Sequence, residues 1–281
     1  MKVLFYAAIT VAAFVALSLV SFWLAIRPPR LSTPLRPADF RLAVEELSIP
    51  TADGLRLSAW LVPRAGASTI VLLHGYPADK ADMLPIAAML ARRFTVLLLD
   101  LRYFGRSEGR ATTLGLRERD DLRGTLDVLA ALGFKRFGVF GFSLGGAIAM
   151  TTAAEDRRIR AIAVYAPFSD LRVLGHELYA WLGPLKFPLV TLMRRWSRVF
   201  LGGDVTVPSP LYVAPRLAIP VYLIASRADE QIFFRHAERL RDALKDNAAA
   251  EFEFMNRGSH GQLPPDVEHR LEEFFLRHLG P

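Results

Sequence analysis

The feature that most constrains the fold is a serine flanked by two glycines, Gly141-Phe142-Ser143-Leu144-Gly145. An apolar run at residues 137–140 precedes this motif, and a run of small residues at 147–154 follows it. The order predicts a strand, a sharp turn and a helix, with Ser143 at the apex of the turn. The backbone of such a turn is strained, so only small residues fit two positions before and two positions after the serine. Both glycines meet that requirement, and we interpret this turn as the centre of the fold.

The remainder of the chain alternates between predicted strands and predicted helices. Residues 41–49 and 55–62 alternate apolar and polar side chains around an Asp53-Gly54 turn, which predicts an opening hairpin. The later predicted strands are residues 69–73, 94–99, 137–140, 159–165, 220–225 and 251–255, and predicted helices lie at 82–92, 114–132 and 266–278. This alternation is typical of an α/β fold with a mainly parallel sheet and helices on both faces.

One insertion interrupts the alternation. Residues 167–219 separate two predicted strands, although a crossover between parallel strands needs only about a dozen residues. The insertion is rich in aromatic side chains and has helical patterns at residues 176–182 and 189–200. We interpret residues 168–218 as a helical cap over the carboxyl ends of the strands.

The N-terminal segment is long and apolar enough to cross a membrane. Residues 3–26 carry no charged side chain and would span about 36 Å as a helix. A cleaved signal peptide is the alternative, but its apolar core is usually shorter, and Leu24-Ala25-Ile26-Arg27 is a poor cleavage site. We therefore predict an uncleaved single-pass membrane anchor at residues 1–30 and a proline-containing linker at 31–40, followed by one large domain at 41–281.

The distribution of charge favours a cytoplasmic position for that domain. Arg27, Arg30, Arg36 and Arg41 follow the apolar segment, whereas Lys2 alone precedes it. Basic residues next to a membrane span tend to remain on the cytoplasmic side.

Composition excludes several classes of site. The sequence has no cysteine, which rules out disulfides, thiolate metal sites and cysteine nucleophiles. The net charge of +7 comes with scattered arginines and without a basic run interleaved with aromatics, so we do not expect nucleic acid as a partner. No group of histidines and carboxylates has the spacing of a metal site, and we expect no metal or other cofactor.

The candidate base for Ser143 is His260. A serine hydroxyl is a weak nucleophile unless a nearby base removes its proton. His260 lies in a glycine-containing loop between the last predicted strand and the last predicted helix, from which it can reach over the serine. The other histidines lie in predicted helices, in the cap or at a strand end, where structural or surface roles are expected.

The candidate acid that orients His260 is Asp229, which follows a predicted strand. Glu230 is the alternative because it is the next residue. Asp100 also follows a predicted strand, but it precedes the serine in the chain. The order Ser143, Asp229, His260 matches the order of nucleophile, acid and base in one known fold class.

Two backbone amides are predicted to stabilise the oxyanion that forms when a serine attacks a carbonyl. The amide of Leu144 lies in the first turn of the helix after Ser143. The amide of Tyr76 lies in the loop after the predicted strand at residues 69–73. We predict that both amides face the developing negative charge.

From residue 41 onwards these motifs resemble the α/β-hydrolase superfamily, and within it the membrane-anchored esterase-like or serine-aminopeptidase-like serine hydrolases. The matching stretches are His74-Gly75-Tyr76-Pro77, residues 100–109 (DLRYFGRSEG), Gly141-Phe142-Ser143-Leu144-Gly145, Ser209-Pro210-Leu211 and Gly258-Ser259-His260. The resemblance implies an α/β-hydrolase fold with an inserted cap. It also implies Ser143 as nucleophile, Asp229 as acid and His260 as base, with oxyanion amides at Tyr76 and Leu144.

Two stretches depart from the family pattern. Tyr103 stands where the family usually has a glycine. The strand before the acid ends in Ala225-Ser226, where the family usually has His-Gly. Neither change removes a catalytic group, but both alter the shape of their loops.

The sequence therefore predicts a membrane-tethered serine hydrolase that cleaves carboxylic esters through an acyl-enzyme. The anchor and the apolar cap indicate an amphiphilic or lipid-like ester as its small-molecule substrate. A peptidase or amidase with the same triad is one alternative. A non-catalytic membrane-surface binding protein on the same fold is the other.

Overall fold

The computed structural model describes residues 1–280, apart from the side chain of Pro265. The strands are β1 (Glu45–Pro50), β2 (Arg56–Val62), β3 (Thr69–Leu73), β4 (Thr95–Leu99), β5 (Phe137–Phe142), β6 (Ile159–Tyr165), β7 (Val221–Ser226) and β8 (Ala250–Met255). The helices are α1 (Lys2–Ile26), α2 (Leu84–Leu90), α3 (Glu118–Ala131), α4 (Leu144–Ala153), α5 (Leu171–Leu178), α6 (Lys186–Leu201), α7 (Pro210–Val213), α8 (Arg235–Ala243) and α9 (Pro265–Leu279).

The strands of residues 1–280 form one sheet in the order β1-β2-β4-β3-β5-β6-β7-β8. β2 pairs antiparallel with β1 and with β4, and every further pair in the sheet is parallel. The predicted mainly parallel sheet is therefore confirmed. Because parallel strands end at the same edge of a sheet, the loops after β3, β5, β7 and β8 come together there.

Apolar side chains fill both faces of the sheet. Along β3, Ile70 and Leu72 pack in one core with α2 and α9, while Val71 and Leu73 pack in a second core with α3 and α4. Successive side chains on a strand point to opposite faces, so the continuous apolar run of β3 supplies both cores. The predicted helices on both faces of the sheet are confirmed.

Helix α3 begins at Glu118 and not at the predicted residue 114. Leu114 and Gly115 have positive φ angles of 51° and 104°, which a right-handed helix does not allow. The Glu118 carboxylate accepts hydrogen bonds from Thr113 and from the amide of Gly115, which fixes the turn before the helix. The apolar pattern in the sequence carries no signal for this turn.

The boundaries of β1 and α2 also differ from the prediction. β1 begins at Glu45 and not at residue 41, because Pro37–Phe40 form a 3₁₀ turn and Arg41 has a positive φ of 55°. The predicted helix at 82–92 divides into a 3₁₀ turn at Lys80–Met83 followed by α2.

The insertion between β6 and β7 is helical. It contains α5, a 3₁₀ turn at Ala180–Leu185, α6 and the short α7. Its aromatic side chains divide into two groups. Trp181 and Phe187 are exposed, whereas Trp196 packs against the N-terminal helix α1.

Within residues 1–280, α1 is the one helix whose length and composition would allow it to cross a membrane. Its first four turns are mostly exposed, whereas Ser18, Phe22 and Ile26 are buried against the rest of the protein. The segment after α1 also contacts the domain, since the amide of Thr33 donates a hydrogen bond of 3.3 Å to the Asp79 carboxylate.

Candidate active site

Ser143 occupies the tight turn between β5 and α4. Its φ of 51° and ψ of −112° lie outside the regions that residues with a side chain prefer. A Cβ atom at Gly141 would lie 2.3 Å from the carbonyl oxygen of Gly145, and a Cβ atom at Gly145 would lie 2.4 Å from that of Leu73. Only glycine therefore fits at these two positions, which is the local reason for the motif. The amide of Ser143 donates a hydrogen bond of 2.8 Å to the carbonyl of Tyr165, which ties the turn to β6.

Two backbone segments border Ser143. Leu144 is the first residue of α4, so its amide has no acceptor within the helix and lies at the positive end of the helix dipole. The loop after β3 also reaches the serine, since a Cβ atom at Gly75 would lie 3.3 Å from the Ser143 Cβ. Tyr76, the next residue, lines the same cavity as Ser143. Both residues that were predicted to supply oxyanion amides thus lie next to the serine.

The Asp229 side chain is bonded to the His260 imidazole, with 2.7 Å between Oδ2 and Nδ1. The other carboxylate oxygen of Asp229 accepts the amides of Gln231 and Ile232 at 2.9 and 2.8 Å. Burial alone would raise the pKa of Asp229, but the hydrogen bonds from His260 and from these amides hold the pKa below its usual value. Asp229 is therefore ionised at neutral pH and fixes the orientation of the imidazole.

His260 lies beside the serine turn. Its ring centroid is 4.7 Å from that of Phe142, the residue before Ser143. With Nδ1 bonded to Asp229, Nε2 is the nitrogen left to accept a proton. Glu230, the alternative acid, accepts the backbone amide of His260 at 3.3 Å and so stabilises the loop, while Asp229 contacts the ring.

The hydroxyl of Ser143 has no hydrogen-bond partner within residues 1–280. The serine is mostly buried, with 8% of its surface exposed. Hydrogen bonds between a nucleophile and its base are often long in a protein without substrate and tighten when substrate binds. The site thus combines a hydrogen-bonded carboxylate and imidazole with a nearby serine hydroxyl.

Comparison with known proteins identifies the family. Residues 68–187 match the profile of the alpha/beta hydrolase fold family. The quorum-quenching protein AidA of Acinetobacter baumannii is 31% identical to the chain over 213 residues, which cover 60% of the chain and 68% of AidA. The chain belongs to the α/β-hydrolase family.

Solved structures share the architecture of this α/β hydrolase. An esterase of Pyrococcus furiosus has a TM-score of 0.76 at 24% identity, and the similarity covers 91% of the hydrolase and 100% of the esterase. A membrane phospholipase A, described as a bacterial virulence factor, has a TM-score of 0.64 at 19% identity and covers 98% of both chains. At these identities the similarity shows the common fold.

An apolar cavity of about 280 Å³ opens beside Ser143 in the hydrolase. This volume is close to the lower end of the range for small-molecule sites. The cap supplies much of the lining, including Leu174 and Leu178 of α5. Phe22 and Ala25 of α1 also line the cavity. Neither residue could be predicted from the sequence, because an apolar run that indicates a membrane span carries no signal for contact with a distant loop.

His74 has a structural role in the hydrolase. Its Nε2 accepts the amide of Leu101 at 3.0 Å, and its Nδ1 lies 2.7 Å from the carbonyl oxygen of Gly75. Burial lowers the pKa of His74, so the ring is neutral and donates from Nδ1. The imidazole therefore joins the loop after β3 to the loop after β4.

Tyr103 gives a physical reason for one departure from the family pattern. Its φ of 75° is a conformation that glycine adopts most easily. The Tyr103 hydroxyl donates a hydrogen bond of 2.6 Å to the carbonyl of Pro28, and the Arg30 guanidinium lies 4.8 Å from the centre of its ring. The tyrosine thus connects the loop after β4 to the segment after α1, a contact that glycine could not make.

Proposed function

We propose that this α/β hydrolase cleaves carboxylic esters, with Ser143 as nucleophile, His260 as general base and Asp229 as the carboxylate that orients the base. The hydrogen bond between Asp229 and His260, beside the strained turn that presents Ser143, carries the proposal. Family membership and the fold shared with an esterase support an enzyme of the hydrolase class.

The reaction begins when the Ser143 Oγ attacks the acyl carbon of the ester and passes its proton to the His260 Nε2. The carbonyl oxygen becomes an oxyanion, which accepts hydrogen bonds from the amides of Tyr76 and Leu144. The imidazolium then protonates the leaving alkoxide, and the alcohol departs from an acyl-enzyme on Ser143. Water attacks this acyl group with His260 again as base, which releases the carboxylic acid and restores the serine.

The membrane anchor is part of the proposal. Helix α1 is apolar, and most of its first four turns is exposed, as expected for a segment that lies in hydrocarbon. Resistance of the full-length protein to extraction from membranes by alkaline carbonate would support a single-pass anchor. Release into the supernatant would show that the helix does not span the bilayer. The excess of arginines after α1 favours a cytoplasmic domain.

The apolar lining of the cavity supports amphiphilic or lipid-like esters as substrates. Turnover of p-nitrophenyl esters by the full-length protein, measured in detergent, tests the function. We expect Ser143→Ala to abolish turnover and Ser48→Ala, an exposed serine on β1, to leave it unchanged. Turnover that survives in Ser143→Ala would contradict the proposal. Faster turnover of aminoacyl p-nitroanilides than of the matched esters would favour a peptidase or amidase.

A further inference from the structure

The last turns of α1 pack on the protein and do not extend freely into the membrane. Ser18, Phe22 and Ile26 recur at every fourth position and form one face of the helix, with 0%, 2% and 0% of their surfaces exposed. This face packs against α6, where Leu201 is buried in the same apolar cluster. The indole Nε1 of Trp196 donates a hydrogen bond of 2.9 Å to the Ser18 hydroxyl. Both apolar and polar contacts therefore fix α1 on the cap.

The carbonyl groups at the end of α1 are bonded to the catalytic domain. The final carbonyls of a helix have no partner within the helix, so they need hydrogen-bond donors from other parts of the protein. The Ala25 carbonyl accepts the Tyr76 hydroxyl at 3.2 Å, and the Ile26 carbonyl accepts the amide of Thr112 at 3.0 Å. These donors belong to loops of the hydrolase domain, so the end of the helix has a defined position relative to the site.

Tyr76 connects α1 to the loop beside Ser143. Its backbone amide is a proposed oxyanion donor, while its hydroxyl holds the end of α1 through Ala25. Burial raises the pKa of Tyr76 to about 12, so the phenol keeps its proton and the hydrogen bond persists throughout the physiological pH range. A shift of α1 would therefore disturb the loop beside Ser143.

We propose that the end of α1 is a wall of the acyl-binding pocket, in which Phe22 and Ala25 contact the apolar tail of the substrate and limit its length. Both residues line the same cavity as Ser143 and as Leu174 and Leu178 of the cap. The exposed part of α1 continues from this wall, so an acyl chain can pass from hydrocarbon along the helix towards the serine. The ligand is a medium- or long-chain acyl group, as its ester or its free acid.

The first test measures acyl-chain preference and rests on the proposed esterase function. In full-length protein, Ala25→Trp adds an indole inside the cavity, and Leu24→Trp adds the same group to a neighbour that is 67% exposed. We expect the ratio of kcat/KM for p-nitrophenyl octanoate to that for p-nitrophenyl acetate to fall about tenfold or more in Ala25→Trp. The ratio should stay at the wild-type value in Leu24→Trp.

The second test does not require turnover. Full-length Ser143→Ala protein is mixed with a fatty acid that carries a photoreactive diazirine on its chain, irradiated, and analysed by peptide mass spectrometry. We expect adducts on Leu171–Leu178 that an excess of unlabelled fatty acid removes. Adding Ala25→Trp should abolish these adducts, whereas adding Leu24→Trp should preserve them.

Together the two tests distinguish the pocket proposal from the proposed esterase function. An unchanged chain-length ratio together with persistent α5 adducts in the Ala25→Trp protein would overturn the pocket proposal while leaving the esterase function intact. Adducts that depend on Ala25 in a protein without Ser143-dependent turnover would support the pocket and contradict the esterase. If Ala25→Trp fails to fold, Ala25→Leu is the smaller replacement, with the same expected direction in both measurements.

Discussion

Asp229, the proposed acid of the site, makes different contacts through its two carboxylate oxygens. One oxygen holds the imidazole of His260, and the other accepts the amides of Gln231 and Ile232. The amides prevent rotation of the carboxylate, which in turn keeps the proton of the imidazole on Nδ1. A change that kept the shape of Asp229 but removed its charge would therefore affect the chemistry more than the fold.

Asp229→Asn should lower kcat for ester hydrolysis by about 10³- to 10⁴-fold, because an amide no longer fixes the correct tautomer or stabilises the imidazolium. The melting temperature should change little, since the remaining side-chain oxygen still accepts the two amides. Kinetics and thermal denaturation on the same preparation check both statements. Glu230→Gln is the matched control, and an equal loss of kcat in that variant would contradict the assignment of the acid.

A buried pair of opposite charges links the segment after β3 to the loop after β4. The Lys80 ammonium lies 2.5 Å from the Asp100 carboxylate, and the two side chains are only 3% and 1% exposed. Lys80→Met would leave the buried carboxylate without its cation, and we expect a loss of about 3 kcal/mol in the free energy of unfolding. Arg56→Met, in the exposed pair with Glu108, should cost less than about 1 kcal/mol. Comparable losses in chemical denaturation of the two variants would contradict this difference.

The cap is attached to the sheet domain by a buried polar network between elements. The Nδ1 of His236 on α8 accepts the amide of Ser169 at 3.1 Å, and its Nε2 lies 2.8 Å from the carboxylate of Glu177 on α5. Because an amide can only donate, Nδ1 carries no proton, and Nε2 donates to Glu177. The network therefore fixes α5, which lines the cavity, relative to α8.

His236→Leu should destabilise the protein by about 1–3 kcal/mol, because it leaves the buried Ser169 amide without an acceptor. Hydrogen exchange should increase first in α5, since that helix loses its link to α8. Thermal denaturation and exchange mass spectrometry measure the two effects. His269→Leu, an exposed histidine on α9, is the control, and a similar change in that variant would argue against the network.

His236 should also make the stability of the protein depend on pH. Burial lowers the pKa of His236 below its usual value of 6.5, although Glu177 opposes part of this effect. The unfolded chain then takes up a proton at a higher pH than the folded protein, so the contribution of His236 is complete above pH 6.5 and is lost as the pH falls. Between pH 7 and pH 5, the free energy of unfolding should fall less steeply with pH for His236→Leu than for the wild type. Equal slopes would contradict the assignment.

Elements and loops that a residue pattern marks could be predicted from the sequence, whereas turns and contacts without such a pattern could not. β6 spans the predicted residues 159–165, and the serine turn follows from small residues at fixed spacing. The predicted start of α3 was wrong because the Glu118 carboxylate fixes the turn before the helix. The contact between Asp229 and His260 was predicted from their loops, whereas the contribution of α1 to the cavity depends on packing between distant segments.

At the scale of the whole molecule, hydrogen bonds connect the N-terminal helix to loops that border the candidate site. The hydroxyls of Tyr76 and Tyr103 bond carbonyls at and just beyond the end of α1, and both tyrosines belong to loops at the carboxyl edge of the sheet. Helix α1, the cap and the serine turn also line one apolar cavity. This arrangement orients the site relative to the membrane that α1 would occupy.

The most direct test of the account is to map the residue that reacts with an alkyl fluorophosphonate in the full-length protein. An activated serine with a formed oxyanion site should give one adduct per chain on the peptide that contains Ser143, and no adduct in Ser143→Ala. His260→Ala should slow the reaction strongly, because the serine loses its base. A folded wild-type protein without an adduct, or with an adduct on another residue, would contradict the assignment of Ser143 as the nucleophile.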